Sequence, residues 1–435
     1  MGPRLPTEPP RGMRDILPAE AELRDAAAAT ILAVYRRYGF RRVETPALES
    51  LPLLTGGGGG ENEKLIFKVL KRGEKLDLRA AAAETDLADL GLRFDLTVPL
   101  ARYYAHNHAK LPQSLRAVQI GPVWRAERPQ RGRYRQFTQC DIDILGVTSE
   151  IAEIELILAT TEALDGLGLR DLTVRINDRR LLAAMASWCG FDPARHSTVF
   201  IILDKWDKLP ESEIRAQLAE AGHPAVAIDR LMSLYARTAA PVDLEAIRTQ
   251  LRHPREDGAF TALARIIDTV RGESGGRFTI AFDPTLVRGM GYYTGPIFEI
   301  SSSSFAAGSI AGGGRYDNMI GALLGRPVPA TGFSIGFERV VEILGKSRVE
   351  RADQRIAVLF DDSAEGLGRA LRAARELRAQ GHLVALERRT RSLGAHRAAL
   401  EKQGYDAAAT ASDFGSVKVD WFADRALQDQ SGSPE

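Results

Sequence analysis

The stretch Val118-Gln119-Ile120-Gly121-Pro122-Val123-Trp124-Arg125, Ala126-Glu127-Arg128-Pro129-Gln130-Arg131-Gly132-Arg133-Tyr134 and Arg135-Gln136-Phe137-Thr138-Gln139-Cys140-Asp141-Ile142-Asp143-Ile144-Leu145 decides the reading of this chain. Two strand-like runs flank a hairpin-sized loop in which Pro129 and Gly132 favour a turn. Arg125, Arg128, Arg131, Arg133 and Arg135 crowd that connection. A solvated charged hairpin and a polyanion site both fit the crowding. In the second case arginines on both arms converge, because guanidinium forks match phosphate bidentately. ATP phosphates, the end of a nucleic acid, or both would suit such a loop. Side chains alternate along a strand, so Gln139, Asp141 and Asp143 share one face. An amide and two carboxylates in a row imply solvent or a polar ligand on that face.

Outward from the hairpin, residues 19–38 read as a helix with Leu23, Ala27, Ile31, Val34 and Tyr35 on one face, stopped by Gly39. Residues 40–46 are strand-like. The glycine run 56–60 reads as a loop, either a linker or a mobile lid. A strand at 65–69, a low-complexity insertion at 80–83 and a helix at 99–106 follow. Residues 150–167 form a long amphipathic helix and 172–176 a strand. Residues 180–265 are helical by period, as an inserted module. Strands resume at 278–282 and 297–301. A glycine cluster at 308–314 precedes a helix near Met319, and a strand at 332–337 runs into a helix at 338–344. After a charged linker at 346–354, strands (356–360, 382–387) alternate with helices (364–380, 392–403), the pattern of a small βαβ domain. The last residues, from about Asp429, read as a polar tail.

The 435 residues, 44% hydrophobic and 26% charged, suit two or three soluble domains whose cores need no disulfide or metal staple. Lys plus Arg is 58 and Asp plus Glu is 57, so a nucleic-acid partner would be held by local patches rather than by overall charge. Cys140 and Cys189 make no disulfide framework, which fits the cytoplasm. No signal peptide is expected, and no apolar run reaches the roughly 18 residues of a membrane span. The 7 histidines show no metal-ligand spacing joined to the cysteines. P-loop, Gly-x-Ser-x-Gly and His-Glu-x-x-His signatures are missing.

Three further segments stand out. Leu286-Val287-Arg288-Gly289-Met290-Gly291-Tyr292-Tyr293-Thr294-Gly295 places an arginine beside glycines and two tyrosines. If the tyrosines lie on a strand they face opposite ways, one into the core and one toward a cleft. Gly332-Phe333-Ser334-Ile335-Gly336-Phe337-Glu338-Arg339 puts Arg339 just inside a helix start, where the dipole does not help a cation, so it needs an anionic partner or solvent. Arg93-Phe94-Asp95-Leu96-Thr97 leads into the helix at 99–106.

Together these residues resemble a class II aminoacyl-tRNA synthetase, specifically of the histidyl-tRNA synthetase family. Pro10-Arg11-Gly12-Met13-Arg14-Asp15, with the following helix and Pro46, resembles the start of the family and motif 1, the dimer interface. Residues 125–143 resemble motif 2 and 332–339 motif 3. Residues 286–299 resemble the histidine-specific segment, usually written Arg-Gly-Leu-Asp-Tyr-Tyr. Gly291 stands where aspartate is usual and Met290 where leucine is usual. The similarity spans residues 8–345 strongly and 355–410 weakly.

The resemblance implies an α/β (α+β) protein. Its antiparallel sheet, flanked by helices, would be built from residues 1–178 and 266–345. A helical insertion (179–265) and a small anticodon-binding-like α/β domain (355–428) complete it. It also implies a cytoplasmic homodimeric enzyme, with no membrane association, that activates L-histidine with ATP and passes it to tRNA(His). Magnesium would come with ATP, and neither an organic cofactor nor a dedicated protein metal site is implied. Arg125 and Arg288 would be catalytic, holding the α-phosphate from two sides. Asp95, Leu96, Thr97, Arg125, Gln139, Asp143, Arg288, Tyr292 and Tyr293 would bind histidine. Within that set Asp95, Thr97 and Gln139 take the ammonium, and Asp143 with Tyr293 takes the imidazole. Arg125, Glu127, Arg133, Phe137 and Arg339 would bind ATP, and Gln130 and Arg135 would contact the tRNA end. Two alternatives remain at this level: a paralogue that activates histidine for a non-tRNA acceptor, or a regulatory subunit of histidine biosynthesis. The C-terminal domain motivates the first, being short and carrying equal numbers of acidic and basic residues from Arg355 onward.

Overall fold

Pro18 opens the first helix, Pro18–Arg37, at a position where its missing N–H costs nothing. Ala27, Ile31, Val34 and Tyr35 are buried, the stripe that a 3.6-residue period turns toward a core. The chain leaves through Gly39 at φ 80°, a conformation open to glycine. The computed structural model describes residues 5–56, 62–79, 83–129, 133–236, 244–251, 257–288, 291–305, 308–346, 354–390, 392–411 and 417–422. Most of the glycine run, the alanine run, Gln130, Gly289, Met290 and the C-terminal tail lie outside these residues. The chain divides into two units, Met1–Ser347 and Arg348–Glu435.

Strands of the first unit are, in chain order, β1 (Arg41–Arg42), β2 (Leu48–Ser50), β3 (Lys68–Leu70), β4 (Ala88–Leu92), β5 (Leu115–Trp124), β6 (Gln136–Leu145), β7 (Leu172–Asp178), β8 (Phe278–Phe282), β9 (Pro296–Ser302), β10 (Ala311–Arg315) and β11 (Ala330–Gly336). Eight of them form one sheet in the order β1-β5-β6-β11-β10-β9-β7-β8, and β2-β4-β3 make a small second sheet. Pairing is antiparallel from β5 across to β7. It is parallel at the two edges, where β1 joins β5 and β8 joins β7. The expected antiparallel sheet thus forms the body, with one parallel strand added at each edge. Both edge pairs are joined by long crossovers, which allow a strand to return parallel.

Three local expectations shift. The strand at 65–69 begins only at Lys68, because Asn62–Leu65 curls into a 3₁₀ turn. The cluster at 308–314 contains β10, although glycine is a poor strand former. Pairing with β9 and β11 on both sides satisfies its backbone and overrides that preference. The helix Ile151–Gly166 is buried nearly all round, at Ala152, Ile154, Leu156, Ile157, Ala159, Ala163 and Leu164. It lies between Pro18–Arg37, Asp257–Glu273 and the sheet, so it has no wet face of the width expected for an amphipathic helix.

Between β7 and β8 the described residues form the helices Arg179–Cys189, His196–Leu203, Glu211–Glu220, Ala225–Ala236 and Leu244–Leu251, and Asp257–Glu273 leads back to the sheet. In the second unit, β12 (Arg355–Phe360), β13 (Leu383–Arg388), β14 (Ala407–Ala411) and β15 (Val417–Trp421) pair in the order β13-β12-β14-β15. β12 is parallel to both neighbours, as a βαβ pattern requires. The helix Ala364–Ala379 covers Ile356, Val358, Ala407 and Ala409 with Ala370, Ala373, Ala374 and Leu377.

Glu338, in the first turn of the helix Phe337–Lys346, ties the parts of the first unit together. It accepts from Arg24 at 2.7 and 2.8 Å, from Arg14 at 2.9 Å and from the Thr138 amide at 3.1 Å. First helix, β6 and last helix therefore meet on one carboxylate. Glu338→Ala leaves two guanidinium groups without it, Arg24 largely buried and Arg14 about a third exposed. A loss of about 2–4 kcal/mol of unfolding free energy is expected in urea titration, and a loss under about 0.5 kcal/mol would show that the knot is cosmetic.

Candidate active site

Five of the six residues beside the polar row of β6 are small, Gln119 being the exception. Gln139, Asp141 and Asp143 stand in register with Gly121, Gln119 and Ala117 of β5 and with Gly336, Ser334 and Gly332 of β11. That leaves a trough over the sheet. A Cβ on Gly332 would lie 2.0 Å from Asp143 Oδ1, so only glycine lets this carboxylate sit where it does. Asp95 joins from the turn before the helix Thr97–Asn107, where its Oδ1 accepts from the Val98 amide at 3.0 Å. Leu96, in the same turn, is buried and accepts from Gln119 through its carbonyl.

Asp95, Asp141 and Asp143 are only 2%, 3% and 2% exposed. Among the described residues, Asp95 Oδ2, Asp141 Oδ1, Asp143 Oδ2 and Gln139 Oε1 have no hydrogen-bond partner. Burial pushes the Asp95 carboxyl up to about 6 and Asp143 up to about 7. Burial, then repulsion from Asp143, raises Asp141 well above its ordinary range. Buried oxygens are costly unless something donates to them, and an ammonium group does so from three N–H bonds.

Tyr316 closes one end of the trough. Its hydroxyl donates to Asp143 Oδ1 at 2.6 Å. Arg315, just before it, grips Glu153 bidentately at 2.7 and 2.9 Å and so fixes the end of β10. Tyr292 and Tyr293 do not lie on a strand, because β9 starts only at Pro296. They share a turn with rings 4.8 Å apart, and Tyr292 also meets Tyr316 at 6.0 Å. The expectation that they face opposite ways is therefore corrected. Tyr292 neighbours Thr97, and the charge of Arg288 acts on Tyr293.

Arg288 has φ 42°, a left-handed conformation that a non-glycine residue adopts only when its surroundings force it. Its Nη1 meets Glu299 Oε1, while its Nε has no partner among the described residues. The guanidinium lies against Gly312, where an added Cβ would come within 2.3 Å of Nη1. Arg125 donates from Nε to the Phe94 carbonyl at 3.0 Å and lies over the Phe137 ring at 5.1 Å. Arg133 is 3.6 Å from Glu127. Arg339 donates to the Ser309 carbonyl and lies over Phe305 at 5.8 Å. Burial lowers the pKa of Arg339, and the charges of Arg133 and Arg288 lower it further. Arg135 is occupied with the carbonyls of Glu127 at 3.0 Å and Arg11 at 3.4 Å. Gln130 lies outside the described residues.

Asp141 and Asp143 thus lie on β6, while Arg125 and Arg133 stand in the β5–β6 connection, Arg288 in the turn before β9 and Arg339 in the helix after β11. Tyr316 and Glu299 had no signal of their own in the sequence. Asp141 had one, its place in the alternation of β6.

An antiparallel sheet carrying an arginine-lined hairpin, with its last strand running into a helix, is the architecture of a class II aminoacyl-tRNA synthetase. The solved histidyl-tRNA synthetase of Nostoc sp. PCC 7120 superposes with TM-score 0.77 at 25% identity, covering 96% of this chain and 97% of that one. A Bacillus halodurans C structure, described as an ATP phosphoribosyltransferase regulatory subunit/histidyl-tRNA synthetase, shares the fold with TM-score 0.73 at 23% identity, over 91% of this chain and 97% of that one. The histidyl-tRNA synthetase family profile matches residues 12–340. The histidine–tRNA ligase of Leifsonia xyli subsp. xyli is 48% identical over 90% of this chain and 92% of its own. That of Gloeobacter violaceus is 37% identical over 81% and 79%. The chain belongs to the histidyl-tRNA synthetase family.

The raised carboxyl of Asp95 has a stability consequence. Folded, it titrates at about 6, above its ordinary value of 3.8, so the native state holds the proton more tightly. Its contribution to stability therefore falls as pH rises from 3.8 to about 6 and is level above that. In ligand-free protein, Asp95→Asn should flatten the fall in melting temperature across this window. Superimposable pH profiles for parent and variant would remove Asp95 as its source.

Proposed function

We propose that this chain is a histidine–tRNA ligase working through the residues assembled above. The reading rests on one observation: buried carboxylates, with oxygens unpaired among the described residues, line a sheet at whose strand ends Arg125, Arg133, Arg288 and Arg339 stand. The first suits an amino acid's ammonium end, and the second suits a triphosphate.

In the first step a histidine carboxylate oxygen attacks the α-phosphorus of ATP. The bond to the bridging oxygen breaks, pyrophosphate leaves and histidyl-adenylate remains. No protein nucleophile is needed, so catalysis is positioning and charge stabilisation. Arg125 and Arg288 flank the reacting phosphate. The Nε of Arg288, unpaired among the described residues, donates to it. Arg133 and Arg339 hold the outer phosphates, and magnesium arrives with ATP. Phe137 stacks on adenine, and Glu127 accepts from its amino group. Asp95, Gln139 and Thr97 receive the ammonium. Asp143 and Tyr293 face the imidazole, with Tyr316 holding Asp143 in place. Neutral imidazole has one donor and one acceptor. A pocket that answers both rejects other amino acids by roughly 10⁴ to 10⁵, since its buried polar groups would otherwise stay unpaired.

In the second step the terminal adenosine of tRNA(His) takes the histidyl group and AMP leaves. Arg135 and Gln130 approach that end, and the Arg348–Glu435 unit takes the anticodon stem. The enzyme acts as a cytoplasmic homodimer. Among the described residues no helix is long and apolar enough to cross a membrane.

ATP–pyrophosphate exchange, with each of the twenty amino acids offered in turn, tests the reading. Exchange with histidine alone is expected. Exchange with none of them, from folded protein, would favour a regulatory role. Arg288→Ala should cut exchange by roughly 10² to 10³ while the melting temperature holds. An active variant would remove Arg288 from the chemistry.

A further inference from the structure

A line of charges outside the trough joins the helical segment between β7 and β8 to Arg288. Arg175, on β7, divides one guanidinium among three carboxylates. Its Nη2 donates to Asp207 Oδ2 at 2.8 Å and to Glu299 Oε2 at 3.1 Å. Its Nη1 donates to Asp283 Oδ2 at 3.1 Å. The other oxygen of Glu299, Oε1, is the one that meets Arg288. Sheet register holds this in place, since Glu299 of β9 stands opposite Arg175 on one side and Gly312 on the other. Asp207 belongs to the turn that follows the helix His196–Leu203. The same turn carries Asp204, which lies within electrostatic reach of Arg288, Glu299 and Arg133.

A carboxylate shared by two guanidinium groups holds each less tightly than one it serves alone. Glu299 is so shared, and the Nη2 of Arg175 is in turn shared between Glu299 and Asp207. The more strongly Arg175 draws on Glu299, the less of that charge neutralises Arg288, and the more of Arg288 is left for a phosphate.

We propose that Arg175 is a positioning residue for Arg288, acting through Glu299, and that Asp207 lets the helical segment set how far it does so. This rests on the function proposed above and deepens it. Arg175 touches neither substrate. It decides how its neighbour's counter-charge is divided.

The test is ATP–pyrophosphate exchange on the full chain, at saturating histidine with ATP varied. Arg175→Leu leaves Glu299 to Arg288 alone, so kcat/KM for ATP should fall about tenfold. Asp207→Asn removes the competitor for Arg175 and should move the same constant the other way, by about two- to threefold. Adding Glu299→Gln to Arg175→Leu should restore part of the loss, because the excess counter-charge is gone. Asp207 is 56% exposed, so its variant keeps the fold. Arg175→Lys, which keeps the charge but not the fork, should fall between parent and Arg175→Leu and serves if the leucine variant does not fold. A role confined to stability predicts losses in both single variants and no restoration by Glu299→Gln. Losses in both, or no change in either, overturn the inference. Exchange by the parent chain with unaffected variants overturns the inference alone. A parent chain that exchanges with no amino acid overturns the function and the inference together.

Discussion

Asp95, Asp141 and Asp143 are kept out of water on one face of a sheet whose other face is core. Alternation along β6 makes this possible, since Cys140, Ile142 and Ile144 are fully buried behind the polar row. Holding carboxylates there costs several kcal/mol per ion unless they protonate or find donors. The structure answers in part. Val98 donates to Asp95 and Tyr316 to Asp143, while Asp141 leans on Ser334. Asp95 Oδ2, Asp141 Oδ1 and Asp143 Oδ2 stay unpaired among the described residues. This unspent acceptor capacity suits a cation with N–H bonds, and burial raises the Asp95 and Asp143 carboxyl pKa values for the same reason.

The arginines opposite follow the complementary rule. Arg125 and Arg339 are steadied by backbone carbonyls and aromatic faces, and among the described residues neither forms a direct ion pair. Arg288 does have a carboxylate, Glu299, but shares it with Arg175. Cations fixed in place yet not neutralised stabilise developing negative charge without reorganising at the moment of reaction. The left-handed backbone at Arg288 fits this picture. Its strain persists because Glu299, Tyr293 and the glycine floor at Gly312 determine where the guanidinium goes.

Much of the frame was legible in the sequence. Apolar spacing in Pro18–Arg37 located a helix and its buried face, and Gly39 located its end. The strands on either side of the arginine hairpin and the polar row of β6 followed from alternation. The strand β10 did not, because its glycines signal a loop locally and pairing on both sides reverses that signal. The two tyrosines were misread for a related reason: alternation applies only where a ladder exists, and at residues 292 and 293 there is none.

Residue types, periodicity and the arginine and carboxylate patterns were settled by the sequence alone, since each depends on neighbours within a few positions. Which groups meet was decided by tertiary structure. Tyr316 finds Asp143 across 173 residues, and Arg175 finds Asp283 across 108. Parallel edges, the clearance over Gly332 and Gly312, and the division of Glu299 between two arginines all depend on strand order and register. No local preference encodes these. They are fixed when distant strands pair, and a shift of one residue would turn every polar group of β6 to the other face.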